Sequence, residues 1–370
     1  MNLGVYMNRI HEFMKEKDIS HYGLIRPEII QYGKILLENQ ICRDGYSEFA
    51  EEDLDRRIDA GEILPGTCSI LVVLFPYEMR SDVKRSDSYG VASFAEGLDY
   101  HIKNSKILKD LADSLELASD DYRIHIDNGP MVDRYLAYCA GQGWYGKNCL
   151  LINNELGSLF TIGSLFMKIE FDESDYCNKT KMDGCGECEL CLKSCPNGAI
   201  KHGYRIDSKV CLSERLQSKK KIPYDMREKI IRGAYGCDIC QEVCPYNNRK
   251  ANPQSSRMNI YEDLKLSKKS FIEKYGNKAF AWRGNSVHRR NLLILLGNKF
   301  SGTCHDKPYQ AALEFAYSSS DMLAACSWWA MLRIDRTRAS EWIRKRLLVE
   351  NEELRVNEMK ELISHYCDEN

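Results

Sequence analysis

Two cysteine runs, CGECELCLKSCP at 185–196 and CDICQEVCP at 237–245, constrain this chain more than any other feature. In the first, Cys185, Cys188 and Cys191 are spaced C-x2-C-x2-C, and the run closes on Cys195-Pro196. In the second, Cys237 and Cys240 form a C-x2-C pair, and the run closes on Cys244-Pro245. A 4Fe–4S cluster needs four thiolates converging on a cube, and one tight loop of that first spacing supplies three. The cysteine before the proline points away and serves the other cluster in two-cluster ferredoxins. The second run is one cysteine short, and Cys211 in SKVCLSERL makes it up. The count then closes. Cys185, Cys188, Cys191 and Cys244 are expected to hold one cluster, and Cys195, Cys211, Cys237 and Cys240 the other. Structural zinc also uses C-x2-C pairs, but the third cysteine at that spacing and the two Cys-Pro endings favour clusters.

Sixteen cysteines in a chain of 370 residues would also suit a disulfide-stapled secreted protein. The opening MNLGVYMNRIHEFMKEKDIS scatters charges where a signal peptide needs an apolar core, and no later segment has the length of a membrane span. A cytoplasmic protein without a membrane partner is therefore expected, with clustered thiols serving metal or redox chemistry. The scattered cysteines (Cys42, Cys68, Cys139, Cys149, Cys177, Cys304, Cys326 and Cys367) read mostly as small buried hydrophobes. A net charge of -2 means that any nucleic-acid partner must be met by a local basic patch. Three such stretches are SKKK (218–221), VHRRN (287–291) and RIDRTRASEWIRKR (333–346), near Trp282, Trp328, Trp329 and Trp342. Each also fits a solvated helix face.

Residues 1 to about 60 read as helices and loops. SILVVLFPY (69–77) is a continuous apolar, β-branched run of the kind a buried strand shows. DYHIKNSKILKDLADSLELA (99–118) has helical apolar spacing, YRIHID (122–127) alternates like a strand, and VDRYLAYCAG reads as a helix closed by Gly141. CLLIN and GSLFTIGSLFMKIEF supply further strands, and from 255 onward the pattern is helical. The fold class expected is α+β, with an α/β or α+β domain over 1–170. A ferredoxin-like double-cluster domain follows over 171–252, and a helical, HEAT-like region over 253–370.

A ferredoxin alone needs far fewer residues, so the electrons serve a further site. Asp127 ends a strand and precedes Asn-Gly-Pro, where a scaffold can present a catalytic acid. On spacing alone, an aspartate capping its own turn is the stronger reading. Asp133-Arg134 reads as a helix N-terminal charge with a surface partner.

IDNGP followed by Arg134, GQGWYGKNCLLI, LDYH (98–101), the two cysteine runs in this order and AWRGNSVHRRNLLIL (281–295) together resemble the epoxyqueuosine reductase family. The resemblance runs in register to about residue 300. It implies a cobalamin-dependent enzyme with two 4Fe–4S clusters that reduces the epoxide of epoxyqueuosine, at the wobble position of tRNA, to the alkene. It implies a cobalamin-binding domain, a double-cluster domain and C-terminal helical repeats. By position, Asp127 matches the proton donor beside the cobalt, and Arg57 and Ser213 match cobalamin contacts. Cys237 and Asp238 match contacts at the cluster edge, and Leu151, Ile162 and Leu165 match apolar positions lining the corrin. Asp99, Tyr100 and His101 match residues near the substrate pocket. The partners implied are a tRNA anticodon stem-loop and an external low-potential electron donor, with the enzyme a monomer. Two positions depart from the family pattern. Glu96 lies where an arginine-glycine pair is usual, and Ser164 lies where a glutamate is usual.

Two other readings remain at this point. One is a cobalamin-dependent reductase of a small molecule, of the dehalogenase kind. The other is a two-cluster electron-transfer protein without a corrin.

Overall fold

The run Ser69–Pro76 becomes one of two long central strands of an antiparallel sheet, buried along almost its whole length. The computed structural model of the chain describes residues 3–34, 37–38, 45–80, 86–177, 184–247 and 258–367; Cys42 lies outside them. Two compact units result. The first takes in Met1–Arg80, Gly97–Cys211 and Asp238–Asn252, and the second Ser81–Glu96, Leu212–Cys237 and Pro253–Asn370. No helix among the described residues is long and apolar enough to cross a membrane.

In the first unit the sheet runs in the spatial order β1 (Tyr22–Ile25), β2 (Ser69–Pro76), β4 (Phe160–Met167), β3 (Tyr122–His125). Every pairing is antiparallel, so this unit is α+β rather than α/β. Strand alternation sends Ile70, Val72, Leu74, Ile162 and Phe166 to one face, where they meet Leu136 and Ala137 of the helix Asp133–Cys139. Leu71, Val73, Phe75, Leu165 and Met167 go to the other. They pack on Ile10 and Met14 of α1 (Leu3–Glu16) and on Leu108 and Leu111 of the helix Tyr100–Ser114. Because both faces are covered, the central strands show no polar alternation. Each such aliphatic side chain contributes about 1.5–3 kcal/mol by leaving water. Strand β1 falls inside the stretch read as helix and loop. Its four residues carry no period of their own, and the pairing of Leu24 with Leu71 creates it.

The cysteine segment is fastened to this sheet at the turn before β4. Ser158 N–H donates to Asn247 Oδ1 at 2.7 Å, and Asn247 Nδ2 donates to Ser158 Oγ at 2.9 Å. Gln241 Nε2 donates to the Ser158 carbonyl at 2.9 Å and to Tyr77 Oη at 3.1 Å. Gly157 makes the approach possible. Its φ is +62°, and a Cβ there would lie 1.9 Å from Asn247 Oδ1 and 2.6 Å from the Tyr246 carbonyl.

The second unit is mainly helical. Helices Gly284–Lys299, Asp306–Leu313, Asp321–Ile334, Arg336–Leu347 and Glu353–Cys367 pack in succession. The long C-terminal stretch therefore breaks after Leu347, and Trp328 and Trp329 are core residues. The stretch VHRRN is not a phosphate-tracking surface. Arg290 is 1% exposed and its guanidinium donates to the carbonyls of Arg215, Leu216 and Ser218. Arg289 donates to the carbonyls of Leu264 and Leu266. His288 is buried against Tyr89 Oη at 2.7 Å, and burial pushes its pKa down to about 4. In the 333–346 stretch Arg333, Arg338, Lys345 and Arg346 are engaged with Glu228, Asp306, Glu341 and Glu350. Trp282, by contrast, is 55% exposed, and its indole N–H donates to Tyr235 Oη at 2.9 Å.

Gly157→Ala tests the joint between sheet and cysteine segment. Positive φ and overlap with Asn247 together should cost about 2–5 kcal/mol, lowering the midpoint of denaturant unfolding. A midpoint equal to wild type would show that the turn can open without loosening the fold.

Candidate active site and cluster segment

Backbone geometry gathers four of the thiols. Burial first, then the negative charge of Cys185, with Cys244 further down, pushes the Cys191 thiol up, while the amides of Leu192 and Cys191 pull it back. The Cys244 thiol is likewise raised by burial and by Cys185 and Cys188, and opposed by the amides of Tyr246 and Asn247. Cys185, Cys188, Cys191 and Cys244 therefore form one neighbourhood. The short helices Leu190–Ser194, which carries Cys191, and Ile239–Glu242, which carries Cys240, pack on each other. Amides pointing at sulfur and thiols raised by mutual repulsion suit a group that takes four thiolates, since a metal cluster removes the repulsion.

Of the second set, Cys195 accepts from the Ala199 amide at 3.2 Å. Asn197 Nδ2 donates to the Val210 carbonyl at 2.9 Å, holding that loop to the residue before Cys211. Cys240 lies near the buried Tyr77 phenol. Cys237 belongs to the second unit. A ninth cysteine escaped sequence reasoning. Cys149 has φ +64°, and its half-buried thiol is pushed up to about 11 by burial, lowered by Arg134 and raised by Cys191 and Cys211. Nothing in its spacing announces that position.

Asp127 follows the last residue pair of β3 and stands exposed. Its φ is +56°, and Asn128 N–H donates to the Ile126 carbonyl at 2.6 Å, closing a γ-turn around it. That turn is rare and strained, at about 1–3 kcal/mol for a non-glycine centre. Tyr100 Oη donates to Asp127 Oδ2 at 2.5 Å. Tyr100 opens a helix capped by Asp99, whose carboxylate accepts from the His101 amide at 2.9 Å and faces His101 Nδ1 at 2.7 Å. The loop after Asp127 is tied back by Arg57. Its Nε donates to the Pro130 carbonyl at 3.3 Å, and its Nη1 bonds Tyr46 Oη.

The apolar trio is not brought together. Leu151 and Ile162 share one core cluster, whereas Leu165, at 0% exposure, sits on the opposite face of β4. Three residues apart on a strand, Ile162 and Leu165 must point opposite ways. Asp238 is buried beside Arg80. Ser213 is half-buried in the second unit, within the helix Leu212–Gln217, and Glu96 also belongs to that unit.

Asp133 has a buried partner, not a surface one. His125, 3% exposed, faces it with Nε2 at 3.3 Å from Asp133 Oδ1. Neither atom has a hydrogen-bond partner among the described residues, so the contact is an ion pair without good hydrogen-bond alignment. Ser164 lies directly opposite His125 in the strand register, and its hydroxyl is buried without a hydrogen-bond partner among the described residues.

The first unit thus carries an exposed carboxyl held by a phenol together with most of the cysteine segment. Residues 184–247 match the family model of a 4Fe-4S double cluster binding domain. Residues 57–128 match the model described as epoxyqueuosine reductase QueG, DUF1730. An epoxyqueuosine reductase of Lactococcus garvieae is 32% identical over 307 residues, covering 78% of this chain and 86% of that one. A crystal structure of epoxyqueuosine reductase with a tRNA-Tyr epoxyqueuosine-modified tRNA stem loop superposes with a TM-score of 0.87 at 25% identity, covering 97% of this chain and 99% of that one. A Bacillus subtilis epoxyqueuosine reductase whose catalytic aspartate loop is swung out of the active site gives the same score and identity, over 98% and 99%. The chain belongs to the epoxyqueuosine reductase family.

The His125–Asp133 pair predicts a pH dependence. Burial lowers the imidazole pKa, but the close contact with the Asp133 carboxylate, with the charge of Asp127, outweighs it, and the net shift is upward. A raised native pKa gives stability that is fully present below the unfolded value, about 6.5, and is lost as pH rises through the native value. The stability difference between wild type and His125→Gln should therefore shrink as pH climbs from about 6, measured by denaturant unfolding. A difference that grows over that range would mean a neutral imidazole.

Proposed function

We propose that this chain reduces the epoxide of epoxyqueuosine in the tRNA anticodon stem-loop to the alkene of queuosine, with Asp127 as the proton donor. It works as a cytoplasmic monomer. An external low-potential donor supplies electrons through two 4Fe–4S clusters to a bound cobalamin. The observation that carries the reading is Asp127 itself, presented on a strained turn with the Tyr100 hydroxyl bonded to it. Strain of that kind persists where a function needs the side chain in that place.

Removing the epoxide oxygen takes two electrons and two protons and releases water. Asp127 gives one proton to the leaving oxygen, and the Tyr100 hydroxyl steadies the carboxylate left behind. Because Asp127 stands exposed, solvent can recharge it before the next substrate covers it. A bound cobalamin would supply low-valent cobalt, able to pass two electrons to a carbon after receiving them singly from the clusters. Arg57 suits a corrin, since its guanidinium sits half-buried at the loop of Asp127 and can donate to side-chain amides. Leu151 and Ile162 form the apolar part of that wall, while Leu165 is excluded by its face. The family resemblance also implies contacts from Ser213, Cys237 and Asp238. Cys185, Cys188, Cys191 and Cys244 hold one cluster, and Cys195, Cys211, Cys237 and Cys240 the other.

Cells lacking this chain should accumulate epoxyqueuosine and lose queuosine from their tRNA; nucleoside analysis showing normal queuosine would overturn the reading. Anaerobically reconstituted protein should carry about eight irons, and Cys195→Ala should lose the second cluster before the first. Tightly bound zinc without iron would refute the cluster assignment. Asp127→Asn keeps size and turn bonding but removes the proton. Conversion of epoxyqueuosine tRNA should fall by about 10²–10⁴-fold with iron and cobalamin content unchanged. Turnover within a few-fold of wild type would remove Asp127 from the chemistry.

A further inference from the structure

The segment from Ile126 to Val132 carries Asp127 and leaves the sheet as an arch. Its two feet are His125, the last residue of β3, and Asp133, the first residue of the helix Asp133–Cys139. These feet face each other, Nε2 to Oδ1, at 3.3 Å inside the protein. The imidazole also fills the space beneath the arch. A Cβ on Gly129 would lie 2.7 Å from His125 Cε1 and 2.8 Å from Nδ1. Gly129 does not have positive φ, so its lack of a side chain answers to the ring and not to the backbone. The ring cannot easily yield, being buried, edge-on to Phe166 at 6.2 Å and paired with Asp133.

We infer that His125 is a positioning residue: paired with Asp133 and seated under Gly129, it clamps the base of the arch and holds Asp127 in its Tyr100-bonded place. Without the clamp, the hydrogen bonds that cross to other elements from this arch, among the described residues, are the Tyr100 bond and the Arg57 bond to Pro130, beside the apolar packing of Ile126 and Met131. Both hydrogen bonds are made by half-exposed side chains, and bonds of that kind open readily. The strained turn at Asp127 favours opening, so the clamp has a defined load to oppose.

This inference rests on Asp127 being the proton donor only for its activity arm; the exchange arm stands apart from it. The experiment is a double-mutant cycle of Gly129→Ala and His125→Ala on the full, cluster-loaded protein. The readouts are amide hydrogen exchange over 126–132 and reduction of an epoxyqueuosine stem-loop. With His125 present, Gly129→Ala should raise exchange of those amides about tenfold or more and lower kcat about tenfold, with KM for the stem-loop within about threefold. In the His125→Ala background the same substitution should change either quantity less than about twofold, because the ring it displaces is gone. His125→Gln, which can still reach Asp133 with an N–H, should recover exchange to within about threefold of wild type. Equal effects of Gly129→Ala in both backgrounds, or an arch that exchanges no faster in His125→Ala, would overturn the clamp. If exchange follows the expected pattern while kcat does not, the clamp stands and the role of Asp127 falls.

Discussion

Ser158 receives the second cysteine run on its amide, hydroxyl and carbonyl, and that one residue sets where the electron path meets the sheet. Asn247 and Gln241, which make those bonds, flank Cys244. Cys244 in turn joins Cys185, Cys188 and Cys191. A displacement at Ser158 would therefore carry to the fourth thiol of the first set. The bonds are between buried polar groups, so each broken one would leave a donor or acceptor without water to replace it, at about 1–3 kcal/mol. Fixed geometry is worth that exposure to loss, because electron transfer depends on the clusters staying where they are.

Much of this was readable in the chain, and the reason is local. C-x2-C-x2-C followed by Cys-Pro fixes its own curl, and Cys244, expected from spacing to join the first loop, lies near Cys185 and Cys188. Ser69–Pro76 announced itself because both faces of the sheet are covered and no polar residue interrupts it. What stayed hidden depends on distant partners. Tyr22–Ile25 is a strand only because β2 offers it an edge. VHRRN looks like a phosphate patch, yet Arg290 spends its charge on carbonyls of the Arg215–Ser218 turn, which sequence cannot place beside it. Leu165 and Ile162 part company for the simplest reason, a strand's period of two, which puts them in different core clusters.

Two buried histidines show how context decides charge. His288 has a phenol and rings around it and is driven neutral, the burial outweighing Asp263. His125 is buried nearly as fully but meets a carboxylate in direct contact, and the balance tips the other way. The first is a packing element with a polar tip. The second brings a charge into the apolar face behind the active-site arch, where a hydrophobe would have packed without cost. An ion pair in such a place gives little stability, so its retention points to orientation rather than strength.

That distinction bears on Ser164, which lies opposite His125 in the strand register. Ser164 and His125 are direct cross-strand neighbours, so the charged group at that level of the sheet is the imidazole, paired with Asp133. On the proposal that Asp127 is the acid, a positive group beneath the arch attracts the carboxylate left after proton release, so His125 should alter how readily Asp127 regains its proton.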